Sequence, residues 1–182
     1  MYDHSCTRCS LHETAKTVCV EARGDRTLRG MVIGEAPGAK EDIRGAPFLG
    51  QAGRLLDDAL TIAEIPSVFI TNVVKCRPPQ NRDPNAAEVD ACYTYLAMEM
   101  YEVDPVAILV VGNVAARALL RRKDGITMLR GQWYERVLAG STRSIMPTFH
   151  PAYVEYNGGR GSRTWDTFLR DVQKFAGRIR EG

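Results

Sequence analysis

Short apolar runs alternate with longer amphipathic stretches along this chain. Runs at 31–35, 68–73 and 107–111 are rich in Val and Ile and read as strands buried on both faces. A fourth strand falls at 144–148, and an edge-strand pattern lies around 132–138. Between these runs the period changes to that of a helix. Leu55, Leu56, Ala59, Leu60 and Ala63 share one face of a helix over 52–64. Val89, Cys92, Tyr93, Leu96 and Met100 share the buried face of a second, running to about residue 101. Asp83 as N-cap and Pro84 at the first position would start it. Asn113 would cap a third helix over 114–121. Trp165, Phe168, Leu169, Val172, Phe175 and Ile179 line a last helix that begins near Thr164. Strands alternating with helices imply α/β class, with a mainly parallel sheet covered on both faces.

Residues 33–53, IGEAPGAKEDIRGAPFLGQAG, interrupt this alternation with a long Gly/Pro loop. Ordinary connections of this kind take about 2–6 residues. The loop carries the acids Glu35, Glu41 and Asp42 and one aromatic ring, Phe48. Two further strand ends carry polar chemistry, Asn72 and His150. In a parallel sheet these ends lie on one edge and converge on one pocket. A carboxamide can read the edge of a planar heterocycle, and an aromatic ring can stack on its face. A histidine can donate a hydrogen bond to a leaving anion. Each residue alone has a plainer reading: turn Asn, structural His, core Phe. Their joint placement at strand ends favours a site.

The chain has 182 residues, 45% of them hydrophobic, so it can bury a core. With 24 basic and 22 acidic residues the net charge is +2, and any basic surface must be local. Arginines gather late in the chain, in the loop at 157–163. The first ten residues lack the apolar core of a signal peptide, and no run is long enough to span a bilayer. The expectation is a soluble, cytoplasmic monomer with no membrane partner, read as a single domain over 1–182. Residues 1–30 would form a polar arm.

Five cysteines occur, at 6, 9, 19, 76 and 92. An odd count in an intracellular chain argues against a disulfide framework. Cys6 and Cys9 form a C-x-x-C pair that reads as half of a metal site. Cys76 and Cys92 would complete four thiolates, suited to zinc or to an iron–sulfur cluster. His4 and His12 admit a mixed zinc site, Cys19 could replace one thiolate, and Cys92 could be a core residue.

GEAPGAKED at 34–42, GAPFLGQAG at 45–53, ITNVVKCRPPQNRDP at 70–84 and MPTFHPAY at 146–153 together resemble the family 4 uracil-DNA glycosylases. The likeness runs from Cys6 to about Tyr153. It implies a three-layer α/β/α sandwich around a four-stranded, mainly parallel sheet. It implies hydrolysis of the N-glycosidic bond of uracil in double- or single-stranded DNA, leaving an abasic site, and hence association with the nucleoid. Cys6, Cys9, Cys76 and Cys92 fall where that family holds a [4Fe-4S] cluster, which would tie the arm to the body. Gly34, Glu35 and Ala36 match the motif that approaches the base and the attacking water. Phe48 matches the stacking ring, Asn72 the reader of the uracil edge and His150 the stabiliser of the leaving base. Glu41 matches an acid of the water path, so Glu35, Glu41 and His150 form the expected catalytic set. Arg160 and Arg163 are expected on DNA phosphates.

The chain departs from the best-known glycosylases in carrying Ala36 where they have Asp. RPPQNRDPN lacks the histidine of the covalently trapping relatives, so no DNA adduct is expected. The DNA wedge falls among Ala152, Tyr153 and Val154. A rival reading is a non-catalytic DNA-binding module serving replication or another partner. The presence of every pocket residue argues against it.

Overall fold

The structure is a computed structural model that describes residues 2–182. Five strands form one sheet: β1 (Gly30–Gly34), β2 (Phe69–Asn72), β3 (Ala107–Val111), β4 (Tyr134–Leu138) and β5 (Ser141–Thr148). Their order is β2-β1-β3-β5-β4. The first four strands in that order run parallel, and β4 pairs antiparallel with β5. The expected count of four is therefore low by one. The pattern around 132–138 is a paired strand that closes a short hairpin at the sheet edge.

Among the described residues seven α-helices accompany the sheet: α1 (Ala39–Arg44), α2 (Gln51–Ile62), α3 (Ala86–Val103), α4 (Asn113–Leu120), α5 (Ile126–Leu129), α6 (Pro151–Tyr156) and α7 (Arg163–Glu181). Successive strand side chains point to opposite faces, so each strand feeds two cores. Met31, Ile33, Ile108 and Val110 pack with α3 and α4, through Leu96, Met100, Ala116 and Leu119. Val32, Leu109 and Val111 pack with α2 and α7, through Leu56, Leu60, Phe168 and Phe175. That division gives the three layers. No helix among the described residues is long and apolar enough to cross a membrane.

Two expected caps move. α3 begins after Asn85, whose side chain accepts from Glu88 N while the Glu88 carboxylate takes Asn85 N, a reciprocal capping box. Asp83 and Pro84 lie before it. Gly112 caps α4, and Asn113 Oδ1 instead accepts from Ile126 N at 2.8 Å, starting α5. The loop at 34–48 also contains α1, whose buried residue is Asp42.

The arm reaches the far edge of the sheet. Arg23 makes an antiparallel bridge to Ile70 and Asp25 a parallel one to Val68, so residues 23–25 cover the outer edge of β2. Tyr2 donates to Glu99 on α3 at 2.7 Å.

Candidate active site

The chain leaves β1 for β2 on one side and later adds β3 on the other. This order reverses at β1, and ligands bind outside the carboxyl ends of strands at such a point. A pocket of about 420 Å³ lies there. It takes in Glu35 and Ala36 from the end of β1, Phe48, Asn72 from the end of β2, and His150 after β5. The three strand ends singled out from the sequence therefore meet.

Gly34 stands opposite Asn72 in the register. A Cβ on Gly34 would come within 2.5 Å of both Asn72 Oδ1 and the Phe48 ring. Only a glycine lets carboxamide and ring approach there. Phe48 adopts φ 55°, a left-handed conformation that is rare for a bulky residue. Its loop is pinned from two sides. Glu41 Oε1 accepts from Leu49 N at 2.7 Å and from Gly50 N at 2.8 Å. Arg23 donates to Pro47 O at 2.9 Å and is itself paired with Asp57. A Cβ on Gly53 would overlap the Phe48 carbonyl, so the first turn of α2 packs directly beneath the loop. Glu41 lines the pocket, but its resolved contacts hold the turn that presents Phe48.

Asn72 is buried, and its Oδ1 has no hydrogen-bond partner. Such an acceptor is costly to leave unmade, at about 1–3 kcal/mol. His150 is the N-cap of α6, and its Nδ1 accepts from Ala152 N at 3.1 Å. That bond fixes the neutral tautomer with the proton on Nε2. Burial lowers its pKa from 6.5 to about 4, so the ring is uncharged at neutral pH. Its ring stacks with Phe48, centroids 6.0 Å apart. Glu35 is half-buried, and burial together with the Asp83 carboxylate raises its pKa from 4.5 to about 7.

The pocket also has walls that the sequence reading did not single out, Pro78, Asn81 and Arg82, and it takes in Ala152, one of the three wedge candidates. Arg82 makes a two-pronged ion pair with Glu88 that ties the loop to α3. The signal was present in RPPQNRDP, where prolines stiffen a basic loop just after a site strand. Val154 is fully buried and cannot enter DNA, whereas Tyr153 is 47% exposed with its ring 5.2 Å from Phe149. Arg160 is paired with Asp58, on the flank of α2, and Arg163 is exposed in the first turn of α7. Neither lines the pocket.

All five cysteines line a second, narrow cavity with Lys75, Tyr95 and His12. Cys19, Cys76 and Cys92 are buried, and Cys6 and Cys9 half-buried. Cys76 Sγ accepts from Cys19 N at 3.4 Å and Cys92 Sγ from Lys75 N at 3.2 Å. Burial pushes the Cys92 thiol up to about 12 and the Cys19 thiol to about 11. Among the described residues, no three thiol, imidazole or carboxylate groups converge as ligands of a single ion. His4 is engaged elsewhere, with Val18 O and Glu21.

Fold and pocket together define an α/β protein whose sheet edge offers a ring, a carboxamide and a neutral imidazole to a planar heterocycle. Comparison with known proteins narrows that class. Residues 22–173 match the Uracil DNA glycosylase superfamily, and the chain belongs to it. It is 42% identical to the Type-4 uracil-DNA glycosylase of Pyrobaculum aerophilum, over 82% of this chain and 79% of that one. It is 39% identical to the Type-4 enzyme of Archaeoglobus fulgidus, over 84% and 79% of the two chains. With that of Thermotoga maritima the identity is 37%, over 93% and 86%.

Proposed function

We propose that this chain hydrolyses the N-glycosidic bond of uracil in DNA, releasing the base and leaving an abasic site. The observation that carries the reading is the unpartnered Asn72 Oδ1 beside Phe48 and an uncharged His150. A uracil flipped from the DNA would stack on Phe48 and give its ring N–H to that oxygen. The resemblance to family 4 and the three Type-4 relatives support the same substrate. Incubation with an oligonucleotide containing one uracil, followed by alkaline cleavage, tests it. Strand scission at the uracil is expected. An intact strand at enzyme excess would leave the non-catalytic DNA-binding reading.

Breaking the bond leaves negative charge on the base and positive charge on the sugar. His150 Nε2–H faces the first, as a neutral donor that stays in place while charge develops. Glu35, once ionised, serves the second by stabilising the sugar cation or orienting water. Glu41 acts at one remove by holding the Phe48 turn. Gly34 and Ala36 let the backbone approach the base. Arg163 meets phosphate outside the pocket. Arg160 joins it by exchanging Asp58 for a phosphate oxygen. The whole chain works as one domain, a monomer on single- or double-stranded DNA.

The pKa of Glu35 gives a signed prediction. Only its ionised form serves the sugar, so the excision rate should climb as pH rises through about 7. Glu35→Gln should abolish that limb in a single-turnover pH series. Stability runs the other way. A raised carboxyl pKa makes the folded state lose stability as pH rises from the ordinary value, 4.5, to about 7. Thermal unfolding at pH 8 should therefore show Glu35→Gln melting higher than the parent. A limb that survives the substitution assigns it to another group.

Cys6, Cys9, Cys76 and Cys92 would hold a [4Fe-4S] cluster, with N–H donors from Cys19 and Lys75 on two of the sulfurs. The donor set fits: thiolates are the ligands of such clusters. Bound there, the cluster would supply cross-linking of the arm to the loop and helix carrying Cys76 and Cys92. Purified protein should be brown, with about four iron and four sulfide per chain. Cys76→Ser should bleach it and lower its melting temperature. Colourless protein with stoichiometric zinc would replace the cluster by a thiolate zinc site.

A further inference from the structure

Behind the pocket lies a buried polar network that the chemistry above does not use. Lys75 is 1% exposed and Glu99 0%, and their charged groups meet at 2.7 Å. The Lys75 ammonium has three donors and spends each one. Besides Glu99 Oε2, it donates to Thr71 Oγ1 at 2.5 Å and to the main-chain oxygen of Asn72 at 2.8 Å. The Thr71 hydroxyl in turn donates a hydrogen bond to Glu99 Oε1 at 3.0 Å, where Tyr2 also donates. Neither Lys75 nor Glu99 lines the base pocket. Direct acid or base work on the substrate is therefore ruled out for both.

The position of the contact explains what the network does. β2 ends at Asn72, where its ladder with Gly34 finishes. The chain then continues with Val73 N and Val74 N donating to Gly34 O and Glu35 O. Lys75 folds back three residues and grips the Asn72 carbonyl without lining the base pocket. That grip fixes the backbone from which the Asn72 carboxamide projects. The carboxamide itself has no protein partner on its oxygen, so its aim depends on its backbone and packing. A buried ion pair adds little stability over a well-packed apolar pair, so a role in aim accounts for the charge better than one in cohesion.

We propose that Lys75, held by Glu99, is a positioning residue for base recognition: it fixes the end of β2 and so aims the Asn72 carboxamide at the base. The proposal rests on the glycosylase reading for what Asn72 contacts, and on geometry alone for what Lys75 holds.

A double-mutant cycle between Lys75→Met and Asn72→Ala tests it, read as single-turnover release from a uracil-containing oligonucleotide. Misplacement by about 1 Å costs about 10²-fold, so Lys75→Met should slow release by about 10- to 100-fold. In the Asn72→Ala background the same change should cost less than about twofold, since coupled residues are not additive. Equal factors in both backgrounds mean general loosening and overturn the proposal, as does a Lys75→Met rate equal to the parent. Lys75→Met strands the Glu99 charge and can prevent folding. In that event Lys75→Met/Glu99→Met removes both charges, and Thr71→Val removes one neutral contact of Lys75. The cycle with Asn72→Ala is read on these with the same criteria. A readout without turnover is the side-chain amide resonance pair of Asn72. It should shift or broaden in Lys75→Met; an unchanged pair overturns the proposal. If the parent protein releases no uracil, the glycosylase reading fails, and the amide resonances still decide the role of Lys75.

Discussion

Replacing His150 with alanine should lower the single-turnover excision rate by ~10²–10³-fold, the usual cost of one donor aimed at developing charge. Affinity for uracil-containing DNA should stay nearly unchanged. The geometry separates these two effects. Ala152 N occupies Nδ1, so the proton sits on Nε2. The ring is the N-cap of α6, and a helix amino terminus disfavours positive charge there. Burial acts in the same direction and takes the pKa to about 4. The donor is thus neutral in the ground state and gains most as the base becomes an anion, which is what raises the chemical rate rather than binding. Rate constants at enzyme excess and equilibrium binding of a non-cleavable analogue measure the two quantities. A proportional loss of both would make His150 structural. The lowered pKa also has a stability sign. The unfolded imidazole takes a proton near 6.5 and the folded one only near 4, so stability is lost as pH falls through that window. His150→Ala should remove this component of acid sensitivity.

Asn72→Ala should give opposite signs in activity and stability. A pocket built to hydrogen-bond a substrate N–H loses up to ~10⁴ in kcat/KM when one partner is missing. Meanwhile the free protein sheds an acceptor that is buried without a partner. Removing that acceptor offsets the packing lost with the small carboxamide, because a buried unmade bond costs about 1–3 kcal/mol. Asn72→Ala should therefore melt at or above the parent while excising uracil far more slowly. Calorimetry and steady-state kinetics on one preparation check both. A large drop in melting temperature would mean that the carboxamide bonds to protein in the free state. Asn72→Asp keeps the shape but presents a carboxylate, and should also lose uracil excision.

The features legible in the sequence were those set by local pattern. Val and Ile runs gave three of the four parallel strands because strands buried on both faces carry no polar alternation. The face of α7 was legible for the converse reason, a regular apolar stripe. α1 was not, since its pattern is inverted. Ile43 is 64% exposed, while Asp42 is buried and accepts from Lys16 N and Thr17 N. A helix packed through a carboxylate leaves no apolar stripe to find. The start of α3 was misread because Asp83-Pro84 is a good local start. The capping box of Asn85 and Glu88 wins over it by satisfying two donors at once. In the site, Phe48, Asn72 and His150 stood out as polar or aromatic residues at strand ends. The duty of Glu41 and the grip of Lys75 on Asn72 did not. Both depend on backbone groups several residues away, brought close only by the fold.

The arm that covers β2 has a consequence for solubility. β2 is the outer strand of the sheet, with Phe69, Ile70, Thr71 and Asn72 all buried. At the opposite edge, β4 exposes Glu135 and Val137 alternately, and a charge there discourages pairing between molecules. β2 has no such charge; its protection is the backbone of residues 23–25. Those residues follow directly on the segment that carries Cys6, Cys9 and Cys19. If the cysteines hold the proposed cluster, its loss by oxidation or chelation would peel the arm from β2 and uncover an edge ready to pair with a second molecule. Loss of the cysteine anchor would then be seen first as concentration-dependent precipitation, before the pocket at the other end of the strand had changed shape.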